Sequence, residues 1–144
     1  MKYDIQVKSH AAQPALVIKG KVKIEKAGEV IGGNIGAVSG HLKKSGLQPA
    51  GAPFTRTYQF ADGVLEFESG FPVAKPATSK GDLVATELPK CKVATTVHVG
   101  DHVTSENAYN AIQAWMEANG KKPAGAPWEV YVADDRMEIF FPIQ

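Results

Sequence analysis

Five residues, Pro49-Ala50-Gly51-Ala52-Pro53, recur unchanged as Pro123-Ala124-Gly125-Ala126-Pro127. No other feature narrows the possible folds as much, because the flanks repeat too. A helix-like stretch ending in glycine precedes each copy, at Ser45-Gly46 and Asn119-Gly120. An aromatic residue, Phe54 or Trp128, follows each and opens a strand-like run. Each repeat closes on a glutamate before a Phe-Pro: Glu68 before Phe71-Pro72-Val73, and Glu138 before Phe141-Pro142-Ile143. The offset is 74 residues from Pro49 to Pro123 and 70 from Pro72 to Pro142, so the second copy is four residues shorter between the motifs. Agreement in order and spacing marks a duplicated unit, with repeats of about 1–74 and 75–144. Packing about a pseudo-two-fold axis would set Glu68 and Glu138 on either side of one shared surface.

A chain of 144 residues suits a single domain, 1–144, with a full core. Hydrophobic residues at 44% and charged residues at 22% match a soluble globule. A net charge of +1 leaves no electrostatic footprint for nucleic acid. The single Cys91 excludes an internal disulfide and a cysteine-rich metal site. Neither His98 and His102, across a strand end, nor His10 and His41 have the spacing of a metal site. Gly32-Gly33-Asn34-Ile35-Gly36 lacks the Gly-Lys-Ser/Thr ending of a phosphate loop, and no cofactor is implied. The spacing of Gly32, Gly36 and Gly40 suits close helix packing instead. The first residues carry no secretory signal pattern, and no stretch nears the roughly 18 apolar residues of a membrane span. A cytoplasmic address is expected.

Tyr3, Ile5 and Val7 alternate with polar residues, as in a strand. Ala15 to Lys26 reads as a longer strand bent near Gly20. Val30, Ile31, Ile35, Val38 and Leu42 recur at helical spacing, with Gly46 as a left-handed cap. Phe54–Phe60 and Val64–Gly70 form a hairpin around Asp62-Gly63, and 75–81 is a linker. The pattern then restarts. Leu83–Leu88 and Lys92–Val99 read as a hairpin across Pro89-Lys90. Thr104 or Ser105 caps a second helix, with Ala108, Ile112, Trp115 and Met116 on its apolar face. Trp128–Ala133 and Met137–Phe141 form the last hairpin, turning at Asp134-Asp135. The fold class is therefore α+β: two pseudo-symmetric repeats forming a curved antiparallel sheet, two helices on one face, and a ligand groove between repeats. Simple alternation in the last hairpin groups Val130, Val132, Met137, Ile139 and Phe141 toward the helices. It leaves Glu129, Tyr131, Glu138 and Phe140 on the groove face.

The ordered set of segments is similar to the GyrI-like small-molecule-binding family, the fold of the effector-binding domain of AraC-type and multidrug-responsive bacterial regulators. The matching pieces are Thr96-Val97-His98-Val99-Gly100, Trp115-Met116-Glu117-Ala118-Asn119-Gly120, Glu129-Val130-Tyr131-Val132 and Glu138-Ile139-Phe140-Phe141-Pro142-Ile143. In the first half they are joined by Leu65-Glu66-Phe67-Glu68-Ser69-Gly70-Phe71-Pro72-Val73. The chain departs from the family's Gly-Pro-Tyr corner with Gly100-Asp101-His102. The resemblance implies a stand-alone domain without a DNA-binding segment, which takes a hydrophobic or cationic aromatic ligand. It assigns a ligand-pairing role to Glu138. It also implies an enzymatic alternative, a hydrolase opening cyclopropane-bearing DNA-alkylating toxins, with Glu138 as base or water-positioner and Tyr131 as polar partner. A third reading is a protein-interaction module of the gyrase-inhibitor type.

A carboxylate among aromatic rings suits an organic cation, with each ring adding about 0.5–2 kcal/mol. Partial desolvation of such a carboxylate also suits general-base work. The candidates for ligand binding are Glu138, Glu68 (with Glu66 competing for its role), Tyr131, Phe140, Tyr58, His98 and Trp115. Trp115 also fits the core, and Cys91 lacks a recognisable Cys–His dyad.

Overall fold

A computed structural model of the chain describes residues 3–100 and 105–144. Asp101, His102 and Thr104, named above, lie outside the described residues. The elements are β1 Gln6–His10, β2 Gln13–Lys23, α1 Ile24–Lys44, β3 Phe54–Ala61 and β4 Val64–Pro72. They continue with β5 Leu83–Leu88, β6 Cys91–Val99, α2 Glu106–Ala118, β7 Trp128–Ala133 and β8 Arg136–Ile143. The fold is α+β, and the strand pairs within each half are antiparallel. Among the described residues, no helix is long and apolar enough to cross a membrane.

The chain divides into a continuous unit, Ala12–Pro89, and a discontinuous one, Met1–Ala11 with Lys90–Gln144. In the continuous unit the strands run β3-β4-β2-β5. Leu16, Val38, Leu42 and Val73 form its core, with Ile18, Phe71 and Leu83 packed around them. In the discontinuous unit the order is β1-β6-β8-β7. Ala108, Ile112 and Met116 of α2 meet Ala94, Met137, Ile139, Phe141 and Ile143.

The repeated pentapeptide does the same job in both units. Each helix ends in a Schellman motif on a left-handed glycine, Gly46 at φ 70° and Gly120 at φ 66°. The closing bonds match: Leu47 N to Leu42 O and Lys121 N to Met116 O, both 2.8 Å. The chain then lies back along the last strand. Ala50 N donates to Pro72 O at 2.8 Å, and Ala124 N to Pro142 O at 2.9 Å. Pro49 bridges Val73 as Pro123 bridges Ile143. The pentapeptide and the Phe-Pro recur together because each is the other's hydrogen-bonding partner.

The long hairpins share a register as well. Arg56 faces Glu68 as Val130 faces Glu138, and Thr57 faces Phe67 as Tyr131 faces Met137. Both registers then slip by one residue, leaving Tyr58 and Val132 as the bulged positions. The four extra residues extend the β3–β4 hairpin through Phe60–Leu65 and Ala61–Val64, around Asp62 and Gly63, both of positive φ.

Three expectations need correcting. β5 and β6 do not form a hairpin: β5 pairs with β2, while β6 pairs with β1 and β8. Pro89 cannot adopt the positive φ that a tight two-residue hairpin turn requires at its first position. β2 stops at Lys23, and α1 begins at Ile24, whose N–H donates to Gly63 O at 2.9 Å. The α1 glycines do not mark close packing, because a Cβ at Gly28, Gly32, Gly33, Gly36 or Gly40 would meet nothing within 4 Å among the described residues. At the other helix, Ser105 holds the cap position without a side-chain cap bond.

Candidate ligand-binding site

The bulge at Val132 decides which side chains of the discontinuous unit come together. An unbroken ladder from the Asp134-Asp135 turn would set Tyr131 opposite Glu138. With Val132 bulged out, Tyr131 pairs with Met137 and Glu129 with Ile139. Directly paired residues share a face, so Glu129 and Tyr131 join Met137 and Ile139 on the α2 side. Val130 moves to the face of Glu138. Tyr131 and Glu138, expected together, therefore lie on opposite faces.

On the α2 side, Glu129 accepts a hydrogen bond from Tyr131 Oη at 2.7 Å on Oε2 and a short one from Tyr109 Oη on Oε1. Tyr109 stands edge-on to Phe141, with ring centroids 5.6 Å apart. Tyr3, Trp115, Tyr109 and Tyr131 all pack against the adjoining apolar cluster. Burial, followed by the charge and hydrogen bond of Glu129, pushes the Tyr109 phenol far above its ordinary pKa, so it stays a donor. The half-buried carboxylate is thus held by two hydroxyls within an aromatic surround. A carboxylate has about four acceptor sites, so two hydroxyls leave capacity for a cation.

Sequence reasoning placed Glu129 on a strand face but did not assign it a role. The available signal was a glutamate two residues before a tyrosine, at alternating positions of a strand that packs on a helix.

The other predicted residues are dispersed. Glu138 is half-buried and lines a cavity of about 380 Å³ with Tyr3, Asp4, Lys8, Thr95, Val97 and others. Phe140 shares its face and stacks on the buried Trp128 at 5.4 Å, with His10 edge-on to both rings. His98 is 2% exposed, and its Nδ1 lies 2.9 Å from Tyr3 Oη. Trp115 packs on the α2 core. In the continuous unit Glu68 is 1% exposed and accepts a 2.6 Å hydrogen bond from Tyr58. Glu66, its competitor, is exposed and lines a cavity of about 470 Å³ beside Tyr58.

Across residues 3–144 the sequence matches the family described as GyrI-like small molecule binding domain. Comparison with curated proteins finds no match. Among solved structures, the chain superposes on a cryo-EM structure of an EcmrR–DNA complex with a TM-score of 0.85 at 20% identity. That match covers 99% of this chain but 57% of that one, so the chain spans little more than half its length. The EcmrR C-terminal domain alone aligns at TM-score 0.82 and 21% identity, covering 100% and 99% of the two chains. SAV2435 bound to tetraphenylphosphonium aligns at 0.65 and 14%, covering 100% and 94%. At these identities the likeness is one of fold.

Proposed function

Since the chain belongs to the GyrI-like small-molecule-binding family, we propose that it captures a hydrophobic, aromatic organic cation, with Glu129 as the counter-charge. One observation carries this reading: Glu129 is gripped by the hydroxyls of Tyr109 and Tyr131 on the aromatic side of the α2 core. The hydroxyls hold the carboxylate in place and lower the cost of keeping it charged away from bulk water. The rings supply apolar contact and cation–π attraction. The ligand class agrees with the tetraphenylphosphonium bound to SAV2435. The role would be that of an effector-reading module, as the likeness to the EcmrR C-terminal domain suggests.

Titration with tetraphenylphosphonium, against neutral triphenylphosphine oxide, tests the reading. Glu129→Gln keeps the shape and removes the charge. It should weaken the cation by about 10- to 100-fold, the range of a charge-assisted contact, and leave the oxide unchanged. Equal losses for both ligands would refute the charge role. Glu138→Gln, measured in parallel, should have little effect; a loss there alone would move the ligand to the Glu138 cavity. With a cyclopropane-bearing alkylator as probe, recovery of the intact compound at one per chain distinguishes binding from turnover.

A further inference from the structure

The repeat makes the two units controls for one another, and one comparison is lopsided. Glu68 and Glu138 hold equivalent register positions, but their neighbours differ in kind. Glu138 is paired across the ladder with Val97 and Val130. Glu68 is paired with Lys19 and Arg56. One step along, Arg136 faces Val99, whereas Glu66 faces Lys21. Three positions that are valine in one unit are therefore cationic in the other.

Two of those cations, Lys19 and Lys21, line a cavity of about 470 Å³ together with Gly20, Tyr58, Glu66 and Phe67. Glu68 is buried, accepts a 2.6 Å hydrogen bond from Tyr58 and is not among the groups that line this cavity. Tyr58 is 49% exposed, and its ring carries the Arg56 guanidinium 5.4 Å from its centroid. Lys19 and Lys21 are exposed, and alternation points both to the same face of β2. β5 covers the neighbouring edge of β2 only as far as Ile18, paired with Leu83, so the cavity lies beyond the end of that ladder. Its lining carries two cations, Lys19 and Lys21, against the one carboxylate of Glu66, and Arg56 lies over the ring of Tyr58, which also lines it.

We propose that this cavity in the continuous unit is a second ligand site, selective for a small aromatic anion such as an aryl sulfonate or aryl carboxylate. The anionic group lies between the ammonium groups of Lys19 and Lys21, and the aryl ring rests on Tyr58. The site lies in the other unit from Glu129, takes the opposite charge, and does not depend on the reading given for Glu129.

The probe is 2-naphthalenesulfonate, titrated into the full chain by calorimetry, with 2-naphthyltrimethylammonium as the opposite-charge control. Wild type should bind the sulfonate saturably. Replacing both lysines, Lys19→Gln with Lys21→Gln, should weaken it by about tenfold or more, the effect of losing two charge-assisted contacts. The matched pair Lys43→Gln with Lys44→Gln, at the end of α1, should leave binding unchanged. In the wild type, nuclear Overhauser contacts should run from the naphthyl protons to the Tyr58 ring, an observation that needs no variant to fold. Absence of saturable binding, equal loss in the two lysine pairs, or contacts confined to other residues would overturn the proposal. Persistent binding of the ammonium analogue that the Lys19/Lys21 pair does not alter, with no sulfonate binding, would also overturn it.

Discussion

Helix α1 is less stable than its backbone requires, and the shortfall can be measured. Only Ala27, Val38 and Leu42 are buried in its 21 residues. Gly28, Gly32 and Gly36 are exposed, and a Cβ built on any of them touches nothing within 4 Å among the described residues. Replacing all three with alanine therefore introduces no clash and removes backbone entropy from the unfolded chain. Each exchange is worth about 0.5–1 kcal/mol inside a helix, or about 1.5–3 kcal/mol for the set. Alanines four apart have Cβ atoms about 5–6 Å from one another, too far to crowd. With an unfolding entropy of about 2.1 cal/mol/K per residue, a chain of this length has about 0.3 kcal/mol/K in total. The triple variant should then melt about 5–10 °C higher, read by circular dichroism at matched concentration. A midpoint that stays level or falls would refute the reasoning. It would mean that another surface comes against the α1 backbone in solution and needs those positions bare.

Two other outcomes follow from the strand geometry. Gly70→Ala should cost at least about 3 kcal/mol or abolish folding, as severe overpacking does, because its Cβ would lie 2.0 Å from the Leu16 carbonyl oxygen; a denaturant midpoint near wild type would disprove this. The Tyr58 phenol is pushed up to about 12 by partial burial, then by the hydrogen bond and charge of Glu68. A raised folded pKa stabilises the fold fully below the unfolded value near 10 and loses that contribution as pH climbs toward 12. Ultraviolet titration of wild type minus Tyr58→Phe should show this phenol ionising late; a midpoint near 10 would remove the Glu68 bond from solution.

What the sequence disclosed followed from short-range chemistry. Glycines after helices, Asp62-Gly63 between alternating runs, and the pentapeptide with its Phe-Pro partner all act over a few residues, and those elements were legible. The bulges were not. A bulge adds one residue to a ladder without any obligatory residue type, here Tyr58 in one hairpin and Val132 in the other. Each reverses the faces of everything beyond it. Counting back from Asp134-Asp135 without the bulge sent Val132 to the helices and Tyr131 to Glu138. Glu129 was missed for the same reason: its partner Tyr109 comes from α2, and the miscount set Glu129 and Tyr131 on the face away from that helix. The pairing of β5 with β2 was also hidden, because its residues suit any apolar neighbour.

That pairing bears on ancestry. The leading strand of each repeat is given to the other: β1 completes the sheet of the second repeat through β6, and β5 completes the sheet of the first through β2. A polypeptide one repeat long, built on this plan, could fill that edge only with a strand from a twin. Duplication and fusion of its gene would turn the obligatory twin into the other half of the same molecule. Severing the chain between β4 and β5 should reverse that history, yielding fragments that are each incomplete and recover their sheets only by exchanging strands.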